Sequence, residues 1–469
     1  MMHKDISTAL RKTAAFFLVM MAVLLVYISY IQIIASDTLA SHPLNRRSAE
    51  LLRQIERGQL IDRNGEKLAY SEQDENGIYR REYPLGAIAA NITGYTSATY
   101  GLAGLEGTYN RYLSGLANPE RRLGAIGQLW PSKKGANVVL TIDSELQKAA
   151  YKALGSRRGA VVVLNPKTGA ILAMVSKPSF DPGTVDTEWG TLSSAVSSPL
   201  LNRAVQGLYP PGSIIKVLMA EASLQEKITT NTKTYRCEGL LKIGSDYVLH
   251  EANNQAHGKI DLEQALVVSC NVTFGQLALD LGRNNMAKTY TRYGFNKIAM
   301  PDLNEQPVVL PDFNRLGDGD LAQTGIGQGS LLVTPIKMAM LAATFANGGT
   351  TMQPYIVQKV LAKDGTTMEE FSPASWLSPV SGALAAQVSK MMVAVVEEGT
   401  GSAAAISGVS VAGKTGTAEN PHGAPHAWFI GFAPASNPEV AIAVVVENGG
   451  SGGGIAAPVA RQVISQALR

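Results

Sequence analysis

Three short stretches of this 469-residue sequence hold side chains that could carry out acyl transfer together. The first is Pro210-Pro211-Gly212-Ser213-Ile214-Ile215-Lys216. Two prolines and a glycine set a tight turn, and the apolar run that continues through Val217, Leu218, Met219 and Ala220 predicts a helix. That helix is apolar nearly all round, which places it inside the protein. Ser213 stands at its start, beside backbone N–H groups without intrahelical partners. Lys216 is one turn on, on the same face. An apolar surround disfavours a lysine's charged form, so Lys216 can accept the serine proton. By itself Ser-x-x-Lys is common by chance, and its ordinary reading is an N-cap serine followed by a surface lysine.

Two further stretches change that balance. Ser269-Cys270-Asn271 puts a hydroxyl and an amide two residues apart within the helical region Leu262 to Leu281, and a turn between helices would aim both at one cleft. Lys414-Thr415-Gly416-Thr417 follows the mostly apolar Val409 to Gly413. There Lys414 would set a positive charge beside a carboxylate, and Gly416 would let a substrate backbone approach closely. Each stretch alone is usually a turn or a loop, and their order along the chain is what makes them specific.

The elements that must position these groups come from both ends of one region. Gly159 to Leu164 and Ala170 to Val175 are apolar runs joined by Asn165-Pro166-Lys167-Thr168-Gly169, a hairpin with a domain boundary just before it. A long helical and loop region is expected up to about Thr400, including Thr334 to Asn347 with Thr334 as N-cap and Pro335 in the first turn. Val409 to Thr417, His426 to Phe432 and Val440 to Val446 read as strands, and Ala457 to Leu468 as a closing helix. This order implies an α+β domain whose antiparallel sheet is assembled from both ends and flanked by helices. Gly449 to Gly454 lacks the Lys and Ser/Thr of a phosphate-binding loop.

Before the hairpin, Arg57 to Ala69 reads as strand, turn at Asn64-Gly65, and strand. Gly101 to Gly107 leads into a helix through Leu113, and Val138 to Ile142 is a strand whose following helix is capped by Asp143 or Ser144. The arginines of this region read as a solvated face or a partner surface, with the solvated face the better reading for any one of them. At the N-terminus His3, Lys4, Arg11 and Lys12 precede Ala14 to Ile34, an uncharged run long enough to cross a bilayer. A cleavable signal peptide competes with an uncleaved anchor; the anchor reading keeps the basic flank in the cytoplasm and the rest of the chain outside. The expected organisation is a cytoplasmic tail 1–13, a transmembrane anchor 14–34, a small mixed pedestal domain 35–157 and a catalytic domain 158–469.

Composition agrees with globular domains plus a membrane segment: hydrophobic residues are 45% and charged residues 17%. A net charge of +3, with no basic stripe carrying interleaved aromatics, argues against a nucleic-acid partner. Cys237 and Cys270 stand in no metal-ligand spacing. Cys270 is expected to line the cleft and to remain unbonded to Cys237.

The triplet resembles that of the serine β-lactamases and penicillin-binding proteins, with Cys270 where the common second motif has aspartate. Over nearly the whole chain the sequence is similar to the class B penicillin-binding proteins, monofunctional D,D-transpeptidases that cross-link peptidoglycan. Arg57 to Ala69, Gly101 to Gly115, Gly327-Gln328-Gly329 with Thr334-Pro335, and His426 to Phe432 carry the similarity outside the triplet. The resemblance implies Ser213 as nucleophile, Lys216 as its base, and Ser269 with Lys414 relaying a proton to the leaving amine. It further implies Asn271, Thr415, Gly416 and Thr417 as substrate-binding residues, with no metal and no organic cofactor. Implied partners are stem peptides of lipid II-derived strands, β-lactams, and a membrane glycan polymerase of the shape, elongation, division and sporulation family. A D,D-carboxypeptidase, a secreted β-lactamase or a β-lactam sensor would use the same triplet.

Overall fold

A computed structural model describes residues 2–35, 39, 54–118, 134–245 and 247–469. Asn45-Arg46-Arg47 and the charged stretch to Glu56, which read from the sequence as an extended or helical stem, lie mostly outside the described residues.

The catalytic region is built on a five-stranded antiparallel sheet in the order Ala412–Ala418, His426–Ala433, Val440–Val446, Gly159–Leu164, Ile171–Lys177. The sheet therefore does join the early hairpin to the late strands. Its strands read as unbroken apolar runs because both faces are covered. Val162 and Leu164 turn to one core, with Trp428, Ile430 and Ala443. Their neighbours Val161 and Val163 turn to the other, with Phe429, Ile442 and Val444. Helices Ser144–Leu154 and Ala457–Ala467 cover this second face, and helix Pro335–Ala346 packs on the first. Thr334 caps that helix by backbone position only. Its hydroxyl is buried and makes no hydrogen bond among the described residues.

The expected helical region up to Thr400 contains strands as well. Thr234–Cys237 pairs with Gly258–Asp261 and Leu240–Ile243 with Tyr247–His250, as two separate two-stranded ribbons. Val357–Leu361 and Thr367–Glu370 join a six-stranded sheet with Asn137–Leu140, Leu60–Ile61, Lys67–Gln73 and Tyr79–Glu82. These strands escape sequence reading because each is short and part-polar, and two of the pairings, Thr234–Cys237 with Gly258–Asp261 and Val357–Leu361 with Asn137–Leu140, join segments well apart in the chain.

Arg63, Arg80, Arg111, Arg157 and Arg158 are exposed as expected, but Arg57 and Arg81 are not part of a solvated face. Arg57 is buried, and its Nε donates to the carboxylate of the fully buried Glu106, while Nη1 donates to Asn110 Oδ1 at 2.6 Å. Arg81 Nε donates to the other Glu106 oxygen at 2.6 Å. Burial raises the Glu106 pKa, but Arg57 and Arg81 outweigh it and leave the carboxyl below its usual range. Glu106→Ala is expected to destabilise by about 3–5 kcal/mol, since it strands two buried cations. Thermal unfolding of the detergent-solubilised chain should show a clearly lowered midpoint. Because the folded carboxyl titrates below the unfolded one, its contribution is full above the ordinary carboxylate range and fades as the pH falls through the folded value.

At the N-terminus Met2–Ile33 is one helix. Thr8–Ile33 within it is the one stretch among the described residues long and apolar enough to cross a membrane, and none of its most apolar window is buried. Phe16, Leu18 and Val19 are among its outward side chains. Such a surface fits a membrane anchor.

Candidate active site

The three chemical stretches meet at one cleft of about 900 Å³, lined by Ser213, Ser269, Asn271, Thr415 and Thr417 among others. Ser213 lies in the 3-10 turn Gly212–Ile215, which runs directly into helix Lys216–Gln225. That helix is internal, with Lys216 to Ser223 all buried. Two backbone approaches fix the turn. Gly212 has φ +56° and its N–H donates to the Gly327 carbonyl at 2.8 Å. A Cβ on Gly327 would come within 2.1 Å of the Gly212 oxygen, so the glycine of Gly327-Gln328-Gly329 is required by contact with the serine turn. Trp428 Nε1 donates to the Pro210 carbonyl at 3.0 Å, tying the turn to the second strand of the sheet.

Lys216 is fully buried. Its Nζ donates to the Ser269 carbonyl at 2.6 Å, to Asn271 Oδ1 at 2.7 Å and to Ser269 Oγ at 3.4 Å. The lysine of the first motif thus holds the second motif in place. Ser269 and Asn271 sit where helix Leu262–Val267 ends and helix Asn271–Arg292 begins, so the expected turn between helices is present. Ser269 adopts φ +61°, a left-handed conformation that costs a non-glycine residue roughly 1–2 kcal/mol. The bond from Lys216 to its carbonyl is one of the contacts that hold it there. Among the described residues no hydrogen bond to Ser213 Oγ is present, which leaves the hydroxyl free toward the cleft.

Lys414 is also fully buried, and its Nζ donates to the Thr415 carbonyl at 3.0 Å. Burial first, and the charge of Lys216 second, hold Lys414 well below the usual lysine range. Burial likewise depresses Lys216, to about 8, although Glu251 and Cys270 act in the opposite direction. Thr415 Oγ1 donates to Thr400 Oγ1 at 2.7 Å, and Thr417 is exposed in the cleft.

Two expectations need correction. Gly416 is buried and does not line the cleft. A Cβ there would meet Ile214 Cγ2 and the Pro211 carbonyl, each at 3.0 Å, so the close approach it permits is that of the serine turn, not of substrate. Cys270 does not line the cleft either. It is the buried N-cap of helix Asn271–Arg292, with its sulfur accepting from Thr273 N. It is unbonded to Cys237, as expected. The sequence reading missed Thr400 and the His250 carbonyl, which accepts from Asn271 Nδ2 at 3.1 Å; neither carries a local signal.

Residues 159–465 match the penicillin binding protein transpeptidase domain, and residues 57–130 the penicillin binding protein A dimerisation domain. The chain belongs to the class B penicillin-binding proteins, the peptidoglycan D,D-transpeptidases. It is 35% identical to peptidoglycan D,D-transpeptidase PbpA of Mycolicibacterium smegmatis, with 99% of each chain covered. The Mycobacterium tuberculosis PbpA is 34% identical over the same share of both chains. The imipenem acyl-enzyme complex of penicillin-binding protein A from M. tuberculosis superposes with a TM-score of 0.83 at 34% identity, covering 89% of this class B chain and all of that one.

Proposed function

We propose that Ser213 is the acylated residue of this transpeptidase and that Lys216, Ser269 and Lys414 move its protons. Ser213 Oγ forms a bond to the carbonyl carbon of the penultimate D-Ala of a stem peptide, and its proton passes to Lys216. The peptide C–N bond breaks, and the leaving D-Ala amine takes up a proton through Ser269, aided by Lys414. An amine of a neighbouring stem peptide then attacks the ester and releases Ser213. With a β-lactam the ring amide opens on the same serine and the acyl group stays. The N–H groups of Ser213 and Thr417 are suited to the oxyanion, which is usually the largest electrostatic contribution in such reactions. Thr415 and Thr417 take the substrate carboxylate and Asn271 its backbone; Gly416 contributes through packing. The observation that carries this reading is the Lys216 ammonium bonded to both Ser269 and Asn271 in the cleft that holds Ser213.

The catalytic domain starts at about residue 158, after the pedestal. Arg11 and Lys12 precede the apolar span, which orients the N-terminus to the cytoplasm and the catalytic domain outside. The enzyme cross-links strands made by a separate membrane polymerase of the shape, elongation, division and sporulation family, with the anchor as its contact. The full chain in detergent, given lipid II and such a polymerase, is expected to release D-Ala in step with cross-linked dimers. D-Ala without dimers would make water the acceptor and the enzyme a carboxypeptidase. Polymerisation of lipid II by this chain alone would remove the polymerase partner, and pairing unchanged by an anchor swap would remove the anchor as its contact.

A further inference from the structure

Charge is spread unevenly along the active-site cleft. Among the described residues its lining includes two carboxylates, Glu251 and Glu419, and no lysine or arginine. Glu251 is buried and accepts from Val272 N at 2.6 Å. Glu419 is exposed, and its carboxylate makes no hydrogen bond or ion pair among the described residues. The local fold does not need it either. Asn420 closes the turn that follows: its Oδ1 accepts from His422 N at 2.9 Å, and its Nδ2 donates to the Ala424 carbonyl at 2.7 Å and to Asn448 Oδ1 at 3.2 Å. Gly450 N–H donates to the Pro425 carbonyl at 2.8 Å, which ties the same turn to the glycine-rich segment behind it. The backbone at Glu419 is therefore held while its side chain stays free in the cleft.

The position of that free carboxylate along the cleft is set by the strand Ala412–Ala418. Alternate residues of a strand share a face and stand about 6.6–6.8 Å apart. Thr415, Thr417 and Glu419 all line the cleft, and Gly416 and Ala418 between them are buried. In the acylation proposed above, the substrate carboxylate lies at Thr415 and Thr417, and the scissile carbonyl faces the N–H groups of Ser213 and Thr417. A stem peptide extended along this strand then carries its remaining residues past Thr417, toward Glu419. The residue before the penultimate D-Ala stands about 3.4 Å further on, which brings its side chain within reach of the free carboxylate. The stems joined by this reaction are alike, so a donor carries the same amine by which another stem serves as acceptor. Such an amine is an ammonium at neutral pH.

We propose that Glu419 binds the ammonium of the donor stem peptide and makes the enzyme selective for donors whose amine is free. This rests on the reading of Ser213 as the acylated residue. Glu419 does not touch the reacting carbonyl; it decides which donor is accepted and in what register. The carboxylate end of the donor goes to the threonines beside Lys414, and its ammonium goes to the acidic end of the same strand. A stem whose amine is already used in a cross-link is an uncharged amide at that point and loses the contact. The site thereby favours unlinked stems as donors and restrains cross-links that join three or more stems.

The test gives the full chain in detergent two soluble donors and measures D-Ala release. One is Nα-acetyl-L-lysyl-D-alanyl-D-alanine with its side-chain amine free, and the other is the same peptide with that amine acetylated. Two penicillins repeat the comparison at Ser213 itself: ampicillin, which carries an ammonium beside its side-chain amide, and penicillin G, which does not. Their acylation rates are read by intact mass. The wild type should prefer the free-amine peptide by about threefold to tenfold in kcat/KM, the range of a partly screened charge-assisted contact. In Glu419→Gln the ratio of charged to neutral partner should fall by that factor for each pair, and Glu419→Lys should lower it further. The ratio is independent of the amount of folded enzyme. Raising the salt concentration should shrink the wild-type preference and leave the variants' ratios nearly level. Where the soluble peptides are not turned over, the penicillin pair decides. Adducts on Ser213 with the same ratio in wild type and both variants overturn this proposal alone. A Ser213 that takes no adduct from either penicillin overturns the assignment of the nucleophile, and this proposal with it.

Discussion

Ser213→Ala abolishes covalent labelling by a fluorescent penicillin and leaves the protein folded. The serine hydroxyl is the atom on which the acyl group would reside, and it stands half-buried at the mouth of an internal helix with the cleft before it. Among the described residues no other cleft hydroxyl stands at the start of the Lys216 helix, so no second path to an adduct is expected. Turnover should fall on the order of 10⁴-fold or more, the scale on which loss of a nucleophile acts. Stability should change by about 1 kcal/mol or less, because no hydrogen bond to Ser213 Oγ is present among the described residues and a methyl fits the same space. Intact mass after incubation with penicillin gives the direct reading: the wild type gains one adduct and the variant gains none. An adduct in the variant would move the nucleophile elsewhere.

Lys216→Ala is expected to be nearly as severe, for two reasons that can be told apart. The first is chemical. With the ammonium depressed to about 8 by burial, the neutral amine is a minority at pH 7 and grows about tenfold per pH unit below that point. Acylation by penicillin in the wild type should therefore rise with pH and level off above about 8, and the variant should lose that profile along with on the order of 10²–10⁴ in rate. The second is structural. Removing Nζ leaves the Ser269 carbonyl and Asn271 Oδ1 without their donor and releases a strained turn. Lys216→Arg separates the two. A guanidinium can still donate but cannot be deprotonated, so it should restore part of the stability and none of the rate. A Lys216→Arg enzyme that acylates at the wild-type rate would show that Lys216 is not the base.

The sequence by itself determined the chemistry and the frame that carries it. Ser213 with Lys216, Ser269 with Asn271, and Lys414 with Thr415 and Thr417 were legible because each set is local. One helical turn, one break between helices and one strand fix their spacing without help from distant residues. The central sheet was legible for the same reason, since strands buried on both faces leave unbroken apolar runs such as Gly159 to Leu164 and Val440 to Val446. Only the tertiary structure decided what meets what across the chain. Gly416 was assigned to substrate but serves the close packing of Pro211 and Ile214, and no local pattern distinguishes those two needs for a glycine. Arg57 and Arg81 were assigned to solvent but enclose Glu106, because burial of an ion pair depends on a partner 49 and 25 residues away. Cys270 was placed in the cleft by its neighbours. Its position at the N-cap turns its side chain inward, where Glu251, His257 and Cys237 arrive from two ribbons, one of which pairs segments well apart in the chain, and short-range spacing does not encode that meeting.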